Sequence, residues 1–286
     1  MADFEVREFS AGFGGEVIGF DPARRLESDA RRVLQELFDD RSLLLFRDLE
    51  LSHSEQVQLC KMLIRKDDLE DGDAGPELED NFYISNKRPD SAVPFGRLQF
   101  HSDTMWADGP FEILSLYAID IEEPVVPTTF ISAKRGWATL PGDLRDRVEG
   151  LEVLQTAGEV RRGDLTDVVI TTVERPPTTT THIEHRHPRT GETILYICEQ
   201  MTKEVIGLSA DDSEQLLGEL FAHLYEPANH WNHYWRNKDL IVWDNIAIQH
   251  ARPNVLTDGP ARTLRKVATP IPQLNFDQLP SYSSAD

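Results

Sequence analysis

The feature that most restricts the fold is a succession of short β-type runs, many of them bounded by Gly, Pro, Asp or Asn. They are Phe82 to Ser85, Leu98 to Asp103, Glu112 to Ala118, Thr129 to Ser132, Leu151 to Ala157, Asp167 to Thr172, Ile194 to Ile197, Leu240 to Asp244 and Thr263 to Thr269. Many short strands with turn signals between them predict a sandwich or barrel. Near the N-terminus, Glu16 to Phe20 and the apolar Ser42 to Phe46 read as two further strands. Three amphipathic stretches interrupt the β pattern. Ser28 to Phe38 places Val33, Leu34, Leu37 and Phe38 at helical spacing; Ser54 to Ile64 does the same with Val57, Leu59, Met62 and Leu63 behind a capping Ser52. Ser213 to Leu224 is the third. The class is therefore mainly β with flanking helices (α+β).

At 286 residues the chain suits one large domain, since sandwiches and barrels of roughly 200–250 residues are routine. Residues 66–80, acidic and turn-rich, and residues 158–185, which include the Pro/Thr-rich ERPPTTTTH, read as mobile loops. The formal charge of −21 repels nucleic acid and anionic lipid. No signal peptide and no apolar stretch of about 18 residues is evident, so the expectation is a cytoplasmic protein acting on a small molecule, without nucleic-acid or membrane partners. Cys60 and Cys198 are too far apart in sequence for a CxxC motif and read as buried thiols.

Chemistry enters at Phe100–His101–Ser102–Asp103. In a strand or strand end, the period of two sends His101 and Asp103 to one face, where both can grip one ion. Downstream, Val242 to Asn245 ends a strand, and a short turn leads to His250, a third ligand from elsewhere in the sheet. Two histidines and one carboxylate form the facial triad of non-haem iron(II) oxygenases, which leaves coordination positions open. Beyond His250, the run PARTLRKV places Arg262, Leu264 and Lys266 on one face and Thr263, Arg265 and Val267 on the other. An arginine there can hold a dicarboxylate by a bidentate pair.

These residues sit in four ordered blocks that resemble the taurine dioxygenase (TauD/TfdA-like) family of iron(II)/2-oxoglutarate-dependent dioxygenases. GGEVIGFDPARRL with RSLLLFRDLELSHSEQ resembles its N-terminal block, FHSDTMW its HxD strand, RHPRTGETILYI its central segment, and DLIVWDNIAIQHARPN its distal-histidine block. The resemblance implies a double-stranded β-helix, the cupin-like jelly roll. It makes His101, Asp103 and His250 the iron ligands and the catalytic centre. Arg262 becomes the anchor for the far carboxylate of 2-oxoglutarate, assisted by Thr128, with Arg265 and Thr129 as the alternatives. Iron(II), 2-oxoglutarate and O2 are then required, succinate and CO2 are released, and an unactivated C–H of a small anionic or amino-acid-like substrate is oxidised, most simply by hydroxylation. Related halogenases replace the carboxylate with a small residue; Asp103 therefore argues for hydroxylation.

For the substrate, Lys266 falls where relatives place a basic residue, and Arg97, four residues before His101, also qualifies. Met105 and Trp106 could form an apolar wall, or belong to the core; Phe82, Tyr83 and Asn86 carry the same ambiguity. His182, His185 and His187, and separately His230 and His233, are weaker metal candidates. Trp231, Tyr234 and Trp235 beside the latter pair indicate a packed edge strand or a contact in a homo-oligomer. A cupin-like metal-binding or sensory protein without turnover, or a metal hydrolase, could use the same triad, but a hydrolase leaves the arginine and threonine without a purpose.

Overall fold

The computed structural model describes residues 4–22, 27–66, 83–160, 162, 167–270 and 281–284. Residues 66–80, expected to form a mobile loop, fall outside this set except for Lys66, as does Phe82. The chain begins with β1 (Glu5–Glu8), β2 (Gly15–Ile18), α1 (Ser28–Arg41), β3 (Leu43–Phe46), α2 (His53–Leu63) and β4 (Tyr83–Ser85). It continues with β5 (Gly96–His101), β6 (Ile113–Ile121), β7 (Thr128–Ser132), α3 (Ala133–Ala138), α4 (Gly142–Val148) and β8 (Glu152–Thr156). Next come β9 (Val169–Thr172), β10 (Thr178–His182), β11 (Glu184–Arg186), β12 (Thr193–Leu195), β13 (Thr202–Val205) and α5 (Ala210–Leu224). The last elements are β14 (Trp231–His233), β15 (Leu240–Asp244), β16 (Ile248–Val255), β17 (Arg262–Thr269) and β18 (Ser281–Ser284).

Two sheets carry the architecture. The larger has the order β1-β2-β3-β15-β6-β17-β4, the smaller β14-β7-β16-β5. Both faces of the larger sheet are covered, which explains why Leu43 to Phe46 is apolar without alternation. Leu44 and Phe46 meet Leu34 and Phe38 of α1 and Leu59 and Leu63 of α2, whereas Leu43 and Leu45 turn the other way. There they join Leu114, Leu116, Trp243 and Leu264 in packing against Phe130 and Ile248 of the smaller sheet. The outer face of that sheet, through Ile131 and Ala251, rests on Leu216, Leu217 and Leu220 of α5.

The helix starts follow their side chains. Ser52 caps α2 in a full capping box with Glu55, the hydroxyl accepting from Glu55 N and the Ser52 N–H donating to the Glu55 carboxylate at 2.8 Å. Ser209 caps α5 in the same way as an acceptor from Asp212 N. Among the described residues, no helix is long and apolar enough to cross a membrane.

One expectation is corrected. The segment ERPPTTTTH is not wholly loop: Thr178 to His182 forms β10, paired antiparallel with β8. Its β-branched threonines suit an edge strand, and their alternating exposure gave no apolar signal. The short turn expected after β15 is present and leads directly into β16, where His250 lies within a strand whose polar sequence IQHARPNV is held by ladders to β5 and β7 on its two sides.

Cys60 and Cys198 are fully buried. Burial pushes the Cys60 thiol up to about 12 and the Cys198 thiol up to about 11. Neither should react with a disulfide thiol reagent in the native protein at pH 8, whereas both should titrate in denaturant; a native reaction within minutes would contradict this burial.

Candidate active site

The antiparallel ladder between β5 and β16 sets His250 directly opposite His101. Cross-strand neighbours point to the same face, and here it is the face that looks between the two sheets, where the imidazole centroids are 4.2 Å apart. Phe130 and Trp243 pack against His250 at 6.4 and 5.0 Å, so the ring is boxed by apolar surface from both sheets. His101 Nδ1 lies 2.7 Å from the Gln99 carbonyl. A carbonyl only accepts, so Nδ1 carries the proton and Nε2 presents its lone pair. Burial, and then the adjacent His101, hold His250 well below the ordinary imidazole range and therefore neutral at pH 7.

Asp103 comes from the turn after β5 rather than from the strand itself. The turn is pinned by Asn245, which is fully buried. Asp103 N donates to Asn245 Oδ1 at 2.9 Å, and Asn245 Nδ2 donates to the carbonyls of Asp103 and Phe111, each at 2.9 Å. The next residue, Thr104, takes φ +57°, turning the chain away. The clamp leaves Asp103 Oδ1 3.2 Å from His101 Nε2 and 3.8 Å from His250 Nε2. Its other oxygen, Oδ2, receives the Lys266 ammonium. Burial alone would raise the Asp103 pKa, but the charges around it, the Lys266 ammonium foremost, hold it well below the usual carboxylate range.

The donor set fits a divalent ion. Ligand atoms of His101, Asp103 and His250 lie within 4.8 Å of one another, and three donors set at right angles about 2.1 Å from one ion would be about 3 Å apart. One carboxylate oxygen and two imidazole nitrogens occupy one side of such an ion, with the remaining positions open. Among the described residues this is the one group of three or more such side chains close enough to share an ion. The other histidines have different occupations. His187 lies 3.0 Å from Asp244, His185 stacks on Tyr196 at 4.6 Å, His233 lies 3.0 Å from Asp239, and His230 meets the Tyr225 carbonyl at 3.0 Å.

The alternation expected in β17 is realised. Leu264 enters the layer between the sheets and Val267 the layer under the helices. Arg265, on the helix side, donates to Gln56 Oε1 at 2.8 Å and to the Leu51 carbonyl at 2.7 Å. Arg262 instead reaches Thr128 Oγ1 at 3.0 Å and the Val126 carbonyl at 3.2 Å. It is 4% exposed and, among the described residues, pairs with no carboxylate. Burial pulls its guanidinium down to about 10, still charged at neutral pH. Thr129 points away, donating to Asn232 Oδ1 at 2.6 Å. The geometry thus joins Arg262 to Thr128 and sends both alternatives elsewhere.

The remaining expected residues divide. Lys266 is at the triad. Arg97 lies on the same strand as His101 and pairs with Asp167 at 3.1 Å, with both side chains 40% exposed. Met105 and Trp106 are buried in a separate apolar cluster with Ile194, Tyr196, Cys198 and Ile246, so the structure gives them packing roles instead of an open apolar wall. Two contributions were not anticipated: the Asn245 clamp, and a tie in which Asp244 accepts from Arg189 and from His187 Nε2 and also takes the N–H groups of Ile246 and Ala247. The latter fixes the turn that leads into β16 and His250.

Residues 5–268 match the sequence profile described as taurine catabolism dioxygenase TauD, TfdA family. The chain belongs to the TauD/TfdA family. It is 26% identical over 285 positions to the alpha-ketoglutarate-dependent 2,4-dichlorophenoxyacetate dioxygenase of Cupriavidus pinatubonensis, covering 90% of this chain and 94% of that one. Its fold is similar to a taurine dioxygenase from Burkholderia xenovorans, with TM-score 0.70 and 21% identity over 99% and 97% of the two chains. It is also similar to AAD-2 in complex with Mn(II) and N-oxalylglycine, with TM-score 0.70 and 19% identity over 95% and 99%. As a TauD/TfdA-family member the protein is an iron(II)- and 2-oxoglutarate-dependent dioxygenase, as its ordered sequence blocks led one to expect.

If Asn245 sets Asp103, Asn245→Ala should weaken Mn(II) binding by about 10- to 100-fold, the range seen when partners behind a metal ligand are removed. Calorimetric titration of the apoprotein checks this, and unchanged affinity would show that the clamp is dispensable.

Proposed function

We propose that His101, Asp103 and His250 hold iron(II), that Arg262 and Thr128 hold the far carboxylate of 2-oxoglutarate, and that the protein hydroxylates a small anionic substrate. The observation that carries this reading is the Arg262 guanidinium, buried and, among the described residues, without a carboxylate partner. An uncompensated buried charge costs several kcal/mol, and a dicarboxylate supplies the missing anion. Arg262 and Lys266 share a strand face and are four residues apart, roughly 13 Å along a strand. Lys266 touches the triad carboxylate, so an anion on Arg262 would extend toward the metal ligands between the sheets.

Bound iron would supply activation of O2, driven by oxidative decarboxylation of 2-oxoglutarate to succinate and CO2. The chain's own residues position and shield. Asn245 presents one Asp103 oxygen to the two histidines, the Gln99 carbonyl fixes the His101 tautomer, and Phe130 and Trp243 exclude water from His250. Lys266, beside the triad, supplies positive charge for the substrate, and Arg97, four residues before His101 on β5 and paired with Asp167, is the second basic residue assigned to it. The relative named for 2,4-dichlorophenoxyacetate acts on a carboxylate, which agrees with a basic residue there. We read the two facing sheets as the halves of a double-stranded β-helix and residues 1–286 as one domain of a cytoplasmic enzyme.

Anaerobic addition of 2-oxoglutarate to the iron(II)-loaded protein should produce a weak visible metal-to-ligand charge-transfer band. Its absence would overturn the cosubstrate reading. Arg262→Ala should raise the 2-oxoglutarate concentration needed for that band by at least about tenfold, the scale of a lost charge-assisted pair. Arg265→Ala should change it little while lowering stability by about 1–2 kcal/mol through the lost hydrogen bonds to Gln56 and Leu51. The reverse order would mean that the other arginine is the anchor. His101→Ala and Asp103→Ala should each abolish succinate release in a screen of small carboxylates, sulfonates and amino acids; activity retained by both would misplace the triad.

A further inference from the structure

Thr128 is held from two sides. Arg262 donates to its Oγ1 from β17 at 3.0 Å, and the indole Nε1 of Trp235 donates to the same oxygen at 3.0 Å. A hydroxyl oxygen has two acceptor lone pairs and one proton. With both lone pairs engaged, the hydroxyl hydrogen is left to donate. Thr128 is 2% exposed, so bulk water does not compete for it.

Trp235 is itself fixed. It is 2% exposed and belongs to the apolar layer between the sheets. The His233 ring meets it edge-on at 4.6 Å, and His233 Nε2 lies 3.0 Å from Asp239. The Asp239 carboxylate also takes the Arg47 guanidinium at 2.9 Å and the Arg236 N–H at 3.0 Å. None of these groups touches the triad. The assembly ends at one polar atom, Thr128 Oγ1.

We propose that Trp235 is a positioning residue for the cosubstrate: its indole N–H fixes the Thr128 hydroxyl so that the hydroxyl donates to the far carboxylate of 2-oxoglutarate. The inference rests on the reading of Arg262 and Thr128 as the anchor. Without the indole N–H, the Thr128 hydroxyl has a free lone pair and can rotate, and its hydrogen bond to the cosubstrate loses definition.

The test is calorimetric binding of N-oxalylglycine, a non-reacting analogue of 2-oxoglutarate, to the full-length Mn(II)-loaded protein. Wild type, Trp235→Phe, Thr128→Val and the double variant are compared. Trp235→Phe should weaken binding about fivefold, the effect of one hydrogen bond of ordinary net strength. The double variant should bind no more weakly than Thr128→Val, because the indole then has no hydroxyl to act on. Thr128→Ser, which keeps the hydroxyl, should remain sensitive to Trp235→Phe. In turnover the loss should appear in KM for 2-oxoglutarate rather than in kcat.

Wild-type affinity in Trp235→Phe, or an equal loss with and without the Thr128 hydroxyl, would overturn the proposal and leave Trp235 a packing residue. Wild-type affinity in Thr128→Val would instead remove the anchor reading on which it rests. A variant-free check is the Trp235 indole hydrogen of the Zn(II)-loaded wild-type protein, which should stay protected from solvent exchange by NMR; rapid exchange would overturn the hydrogen bond itself.

Discussion

The structure of the site depends on one strand pairing, the ladder that puts β16 against β5 with His250 opposite His101. A shift of one residue in either strand would send one imidazole to the α5 side of the smaller sheet and leave the other alone. The register is held from both directions. Ile248 and Phe130 must enter the layer between the sheets while Ala251 and Ile131 face α5. The guanidinium of Arg252, next but one after His250, takes the carbonyls of Val93, Phe95 and Gly96 at 3.0, 2.6 and 3.2 Å and so ties β16 to the entry of β5. The triad geometry follows from apolar packing and backbone pairing before any metal is considered.

The third residue of the triad needs a separate device because it is not in the ladder. Asp103 belongs to a turn, and a turn lacks the neighbouring strand that fixes a side chain's direction. Asn245 takes that strand's place by offering the Asp103 backbone both an acceptor and a donor. Asn245 immediately precedes Ile246 and Ala247, whose N–H groups are held by Asp244. One turn between β15 and β16 therefore positions Asp103 through Asn245 and His250 through the strand that it starts. This coupling explains how residues some 150 apart in sequence can stand close enough together to share an ion.

Much of this was legible in the sequence where periodicity carried the information. The alternation of PARTLRKV separated Arg262 from Arg265, and both now lie on opposite sides of β17. Strand positions were legible where the run was apolar, as at Leu240 to Asp244. Polar strands were not. IQHARPNV contains Pro253 and four polar or charged residues, and it is a strand because two neighbours pair with it; the proline falls where the ladder to β5 loses register. Met105 and Trp106 were ambiguous because apolar residues beside a site pattern alike whether they face a substrate or a core. Asn245 and Trp235 left no trace as functional residues, since each acts through the atom it holds rather than through chemistry of its own.

The charge distribution completes the argument. A formal charge of −21 makes the long-range field unfavourable to the anionic cosubstrate, but that field is screened beyond about 8 Å at physiological ionic strength. Recognition must then come from short range. Arg262 and Lys266 lie on the inner face of one strand, and Arg262 is shielded almost wholly from water, where a charge acts at lower effective dielectric and is strengthened accordingly. An acidic surface and a cationic interior are therefore compatible. The surface repels bulk polyanions, whereas a small anion that enters between the sheets meets positive charge no salt solution has screened.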